Sequence, residues 1–333
     1  MTAVDLLHVR AAGLGWGPID ELATLCARLL GARLLTVDDR GEVSLPRKLA
    51  GRAPRRRARR RALLVLAPSP AHLAYAARRA HWMPGYHRTA AWVIDSFWTD
   101  RLSGMAAHRG HFDHVFITDP ELIEEWSALT GAPVHWAPWG ADTLAATAPT
   151  AERPTDLVRI GRQPAAWADD ADTRAAAAEL GLVVEGRPPL ARDPAQNQAA
   201  VRRALGRSKF ALAFTNRVSP APYTHPTREY LTGRWTDALA QGATVAGVAP
   251  PSAAQILWPG ATVDLDPEDL RAGLTQLQEH VAAWRPATAA RHRALARERL
   301  DWRHRIAGIA EVLEAGPFPA LEAELGLLAG PGA

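Results

Sequence analysis

Short apolar runs alternate with amphipathic stretches along most of the chain. Val4–Val9 is the first run and predicts a strand. A glycine-rich loop follows (Gly13, Gly15, Gly17), and Pro18 then suits the first turn of a helix. Ile19, Leu22, Leu25, Cys26 and Leu29 recur at helical spacing. Leu34–Val37, Ala62–Leu66, Ala90–Ile94, Val115–Ile117 and Val134–Trp136 repeat the strand pattern, with helical segments between most of them. Near-continuous apolar strands alternating with helices predict a parallel sheet covered on both faces.

Thr143–Thr155 is rich in Ala, Thr and Pro and has linker composition. The pattern then restarts. Leu157–Ile160, Leu182–Glu185, Phe210–Phe214 and Thr244–Val248 predict strands. Ala171–Leu180, Ala195–Leu205 and Tyr230–Ala240 predict the helices between them. Three more helices close the chain, over Pro267–Ala283, Pro286–Arg299 and Asp301–Ala315. In the last, Trp302, Ile306, Ile309 and Leu313 form one apolar stripe, and the tail after Gly316 is weakly specified. The expected fold is therefore α/β. Two Rossmann-like domains, residues 1–145 and 155–300, face a central cleft, and a closing helix at 301–315 crosses the junction. Ligands in such sheets bind beyond the carboxyl ends of the strands.

Composition narrows the function classes. The chain has 333 residues, 47% of them hydrophobic. No apolar run reaches the roughly 20 residues that span a bilayer, so no transmembrane segment is expected. Met1-Thr2-Ala3-Val4-Asp5 lacks the basic flank and apolar core of a signal peptide, and the expected location is cytoplasmic. The single cysteine, Cys26, excludes an internal disulfide and a cysteine-rich metal site. Much of the +4 charge excess sits in Arg52–Arg61. That run reads as a solvated loop or as a patch for an anionic partner. It has no interleaved aromatics to stack bases, so nucleic acid is not an expected partner.

The most informative segment runs from Tyr223 to Gly247. A polar loop after the strand Phe210–Phe214 feeds a helix that carries Asp237 and ends at Gly242. Free backbone N–H groups and the helix dipole at such a start favour a diphosphate, placing Thr232 and Gly233 beside it. Arg217, Arg228 and Arg234 add charge-assisted contacts to phosphate oxygens. The alternative reading makes these arginines surface cations and Asp237 a decoration of its helix. The cluster Asp169-Asp170-Ala171-Asp172 reads as a helix start, where acids favour the dipole, and no Asp-x-Asp metal motif occupies a suitable strand-end loop.

Asp237-Ala-Leu-Ala-Gln-Gly-Ala-Thr-Val-Ala resembles the Glu-Ala-x-Ala-x-Gly-x-Pro-Val signature of retaining GT-B glycosyltransferases. That family carries a second glutamate eight positions upstream, where Glu229 stands here. Asp replaces Glu at 237 and Thr244 stands where Pro is frequent. Arg234-Trp235-Thr236-Asp237 is closer to the spore-maturation-protein-like branch. Trp136-Ala-Pro-Trp-Gly140-Ala-Asp142 resembles the Pro-Asn-Gly-Val-Asp that ends the family's N-terminal domain. Ile160-Gly161-Arg162 resembles its Gly-Arg, and Asp301–Leu313 its closing helix. The resemblance implies that Asp237 accepts hydrogen bonds from ribose hydroxyls, that Glu229 meets the donor sugar, and that Arg162 contacts the diphosphate. Gly140 falls in the same donor set. The lysine frequent five residues after that arginine is Trp167 here. The implied enzyme is a hexosyltransferase-type glycosyltransferase, metal-independent and retaining. Its donor is a nucleoside-diphosphate sugar, with no other cofactor, and its acceptor a small molecule or glycan. Arg234 is expected to stabilise the leaving diphosphate as charge accumulates on it.

The first domain is then left to hold the acceptor. Gly15 allows close backbone approach, and Trp16 and His8 flank the same loop. His81, His87 and Asp95 stand at or near strand ends, and Asp95 is the candidate acceptor contact or general base. Trp82, Trp92, Trp98 and Trp139 are candidate sugar platforms. Two other functions keep a footing. Strand, Gly-x-Gly, helix, strand and Asp38 outline a nicotinamide-dependent oxidoreductase, although Gly13-x-Gly15-x-Gly17 is not the dinucleotide spacing. A non-catalytic nucleotide-sugar-binding protein is the other.

Overall fold

The computed structural model describes residues 2–39, 44–50, 59–79, 85–148, 152–191, 193–222 and 224–329. The chain divides into two compact units, Met1–Pro138 with Arg303–Ala333, and Trp139–Trp302. Linker composition puts the join within Asp142–Thr155, whereas the units divide after Pro138. His81 and Trp82 lie outside the described residues, as does the part of the basic run before Arg59.

In the first unit, β1 (Ala3–Arg10), β2 (Arg33–Asp38), β3 (Arg59–Ala67), β4 (Tyr86–Val93), β5 (His114–Ile117) and β6 (Val134–Trp136) form one parallel sheet. Its order is β2-β1-β3-β4-β5-β6. Every residue of β1 from Val4 to Val9 is buried, as a central parallel strand covered on both faces requires. Helices α1 (Gly17–Leu29), α2 (Leu45–Ala50), α3 (Pro70–Arg78) and α4 (Ile123–Thr130) connect the strands, with a 3-10 segment over Thr99–His108. α1 starts with Pro18 in its first turn and buries Ile19, Leu22, Leu25, Cys26 and Leu29 as one stripe. Asp5 is a carboxylate within the apolar run. It is fully buried, and Arg33 and Tyr86 each donate to it at 2.8 Å, with Arg61 as a third donor. Burial alone would raise its pKa. The hydrogen bonds from Arg61, Tyr86 and Arg33 override that and hold it below the usual carboxylate value.

In the second unit, β7 (Thr155–Arg159), β8 (Val184–Glu185), β9 (Ser208–Phe214), β10 (Thr244–Val248) and β11 (Thr262–Asp264) form a parallel sheet of order β11-β10-β9-β7-β8. Helices α5 (Asp170–Glu179), α6 (Pro194–Arg207), α7 (Gly233–Ala240), α8 (Ala253–Ile256), α9 (Leu270–Ala283) and α10 (Pro286–Arg299) complete it. Asp169, Asp193 and Asp269 cap α5, α6 and α9 through their carboxylates. Leu157, Trp167, Phe210, Phe214, Leu274 and Leu277 fill the core. The position expected to carry a lysine, Trp167, is fully buried, and its indole N–H donates to Asp266 O at 2.9 Å. α7 starts at Gly233 and not at Tyr230, because Tyr230 and Leu231 belong to the loop, whose backbone is still extended at Thr232.

The second unit's two chain ends run together. Ala141 N donates to Leu300 O at 2.9 Å, and Trp302 N to Ala141 O at 3.1 Å. Beyond them, α11 (Trp302–Val312) and α12 (Pro319–Ala329) carry the chain back into the first unit. Ile306, Ile309 and Leu313 of the predicted stripe are buried. α12 occupies the weakly specified tail. It has no clear stripe of its own, and what holds it is Leu321 in the core and Glu324, which pairs with Arg28 and, at 2.6 Å, with the buried Arg303. Among the described residues no helix is long and apolar enough to cross a membrane.

Candidate functional site

The carboxyl ends of β7 and β9 build the site in the second unit. β7 ends at Arg159, whose guanidinium donates to Asp170 at 2.6 Å and to Ala168 O at 2.7 Å, tying the strand end to the start of α5. The chain then turns at Gly161, where φ is +81°. A side chain is disfavoured there by the backbone and by its surroundings. A Cβ at this position would stand 2.8 Å from Arg234 Cδ. Arg187, just beyond β8, donates from Nη2 to the Gly161 carbonyl at 2.6 Å. Arg162 follows directly and donates from Nε to Ser219 O at 3.1 Å. Arg162, Arg187 and Arg234 thus gather on the one turn that follows β7.

Opposite that turn, the segment after β9 leads to α7. Asn216 braces it by donating to His225 O at 2.9 Å and to Arg228 O. Arg234, in the first turn of α7, donates to Phe214 O at 3.0 Å and lies over the Trp235 ring at 4.8 Å. Trp235, Thr236, Ala238 and Leu239 are buried, which leaves Arg234 and Asp237 on the half-buried face. Asp237 Oδ2 lies 3.4 Å from where a Gly233 Cβ would stand, so the carboxylate sits over the first turn. Thr232 occupies the N-cap, yet its hydroxyl caps nothing. Thr232 Oγ1, Asn216 Oδ1, Ser219 Oγ and Gln163 Oε1 are buried without a hydrogen-bond partner among the described residues. Buried polar atoms are nearly always paired, so a group of them at one strand end points to a ligand that completes them.

The remaining donor candidates divide. Glu229 accepts from Thr215 Oγ1 at 2.6 Å and stands 3.9 Å from the exposed Arg217. Arg228 is half-buried beside them. Gly140 has a packing role. A Cβ there would stand 2.5 Å from Leu300 O and 2.8 Å from the Trp302 ring, and its carbonyl accepts from Thr236 at 2.7 Å. Trp139 packs on Trp302 and Gly233, and Trp92 is fully buried, so neither offers an open ring face. In the first unit, His8 is buried and bonded to Asp20 at 2.7 Å. Trp16 is half-buried, Gly15 exposed with open space around it, His87 exposed, and Asp95 half-buried with its N–H on Pro68 O at 2.8 Å.

Residues 159–311 match the family described as Glycosyl transferase-like. That stretch begins at the last residue of β7 and takes in the arginine turn, the loop and α7. The second unit is a glycosyl transferase-like domain. Over 94% of its length the chain is similar in structure to all of the Anabaena protein Alr3699/HepE, solved in complex with UDP, with 12% identity and a TM-score of 0.56. The chain has the GT-B fold of two Rossmann-like domains. No curated protein matches it. Within the glycosyl transferase-like domain, Arg187, Gln163, Asn216 and Ser219 escaped the sequence reading. Only Arg187 carried a signal, its place just past the carboxyl end of a parallel strand.

Proposed function

We propose that this glycosyltransferase transfers a sugar from a nucleoside-diphosphate donor bound at the carboxyl ends of β7 and β9, with UDP as the first nucleotide to test. The observation that carries the reading is the gathering of Arg162, Arg187 and Arg234 around Gly161, beside the N-terminus of α7. Guanidinium forks and free N–H groups suit a diphosphate, and they stabilise it most as it leaves. Asp237, on the same face of α7, is the acceptor of ribose hydroxyl protons. Glu229, held by Thr215, is the group beside the donor sugar, and Arg217 and Arg228 supply further positive charge. The Anabaena structure's UDP complex supports a uridine donor. We read the transfer as metal-independent and retaining, to a small-molecule or glycan acceptor. Calorimetric titration with UDP, dTDP and GDP in the presence of EDTA tests the donor site. Binding of none of them, or binding that survives loss of Arg162, Arg187 and Arg234 together, would remove this reading. The anomeric configuration of the product, read by NMR, tests retention.

A further inference from the structure

In the first unit, a second group of polar side chains gathers at the carboxyl ends of β1, β2 and β3. Asp20 of α1 meets His8 Nε2 at 2.7 Å. Asp39, just past β2, meets His72 Nε2 at 3.3 Å, and His72 Nδ1 meets Ser69 Oγ at 2.7 Å. The Trp16 ring stands 6.1 Å from the His72 ring, edge to face. Ser69 is the N-cap of α3, but its hydroxyl is given to His72 and caps no backbone N–H. His8 is 3% exposed and its Nδ1 has no partner among the described residues.

The proton positions follow from the chemistry. An ionised carboxylate only accepts, so His8 and His72 both carry their protons on Nε2. Nδ1 of His72 is then bare and takes the Ser69 proton, which leaves the Ser69 oxygen able only to accept. Burial disfavours the charged form of His72, outweighing Asp39, while His8 and Arg101 push in the same direction as burial. Asp20, Asp39 and Ser69 therefore offer lone pairs and no proton. The Asp20 and Asp39 side chains remain about one-third exposed, at 35% and 29%. Among the described residues, Arg10 is engaged with Asp38 at 2.8 Å and Arg101 lies over the Trp98 ring at 3.8 Å.

We propose that this cluster is a binding site for a pyranoside bearing hydroxyl or amino groups, with Asp20, Asp39 and Ser69 accepting its protons and Trp16 covering its apolar face. An all-acceptor site selects ligands that are rich in donors, and it disfavours an added negative charge. An aromatic ring beside such acceptors matches the two kinds of surface that a sugar ring presents. Calling this ligand the acceptor substrate rests on the glycosyltransfer reading; the binding site does not.

The test is an NMR titration of the full chain, without nucleotide, that follows the His8 and His72 imidazole signals. The probes are methyl β-D-glucopyranoside, its 2-amino-2-deoxy analogue and methyl β-D-glucuronide. The expected result is saturable shifts of both histidines with the first two and at least about tenfold weaker binding of the uronide, a difference of about 1.4 kcal/mol. Asp39→Asn should narrow that discrimination, and His72→Gln should weaken all three. UDP titrated into the same variants should bind as in the unaltered protein. Binding of the uronide as tight as the neutral sugar, or no shift with any probe, would overturn the proposal. Loss of UDP binding in the unaltered protein alone would sink the donor reading and leave this one standing.

Discussion

Replacing Gly161 by Ala isolates the arginine turn with a single methyl group. The new Cβ would have to occupy a backbone at φ +81°, which costs an ordinary residue about 1–2 kcal/mol. It would also stand 2.8 Å from Arg234 Cδ, a contact that real atoms do not tolerate. The flexible partner gives way. Arg234 moves, and with it goes the hydrogen bond to Phe214 O at 3.0 Å, a charge-assisted bond worth about 1.5–3 kcal/mol when fully buried and less here, where the side chain is half-buried. Together these predict a loss of about 2–3 kcal/mol of stability. For a chain of 333 residues that is roughly 3–4 °C in Tm. The effect on nucleotide binding should be separate, a Kd for UDP raised about tenfold, or about 1.4 kcal/mol. The assay is a double-mutant cycle of Gly161→Ala with Arg234→Ala, read by calorimetry. If the methyl group acts by displacing Arg234, the double variant binds UDP no worse than Arg234→Ala alone, and the coupling is about 1 kcal/mol or more. Additive losses would refute the reasoning, because Gly161 would then act on the ligand by another route.

Asp237→Ala should weaken UDP binding by about 1.5–3 kcal/mol and leave the fold intact, as the loss of a charged acceptor on a half-buried face; an unchanged Kd counts against the ribose role. Glu229→Gln should lower single-turnover transfer far more than UDP affinity, and equal losses in both would mean that the carboxylate does not meet the sugar. His292 makes stability depend on pH. Its Nδ1 accepts from Trp258 at 3.0 Å, its Nε2 bonds Thr244 at 2.9 Å, and burial pushes its pKa down from 6.5 to about 4. The unfolded chain therefore binds this proton first, and stability should fall as pH drops from about 6.5 to 4, by about 3 kcal/mol at 1.36 kcal/mol per unit. Thermal melts of His292→Gln should show that slope flattened, and an unaltered slope would assign it to other groups.

The strands were legible because each is an apolar run of the right length, and the stripes of α1 and α11 because their spacing is helical. β11 and α12 were not. β11 is three residues long and only half-buried, and α12 is held by Glu324 on Arg28 and Arg303, partners 296 and 21 positions away. No local pattern encodes such a pair. The same holds inside the site. Gly161, Arg162 and Arg234 stood in recognisable segments, whereas Arg187 joins them only through the pairing of β7 with β8. The cluster of Asp20, Ser69, His72 and Asp39 was invisible for the same reason: separate strand ends and helix starts deliver it, and only the fold brings them to one place.

The division of the chain also sets an order of assembly. Trp139–Trp302 is a complete α/β unit threaded into the middle of another, its entry and exit fastened to each other at Ala141, Leu300 and Trp302. During synthesis from the N-terminus, that inserted unit has its whole sheet available before the surrounding one is finished. The first unit must wait for its last segment, which buries Ile306, Ile309 and Leu313, until α11 and α12 have left the ribosome. The part of the protein made first is thus the last to be completed, and in a multidomain chain that interval is one in which incompletely packed surface is open to misassembly.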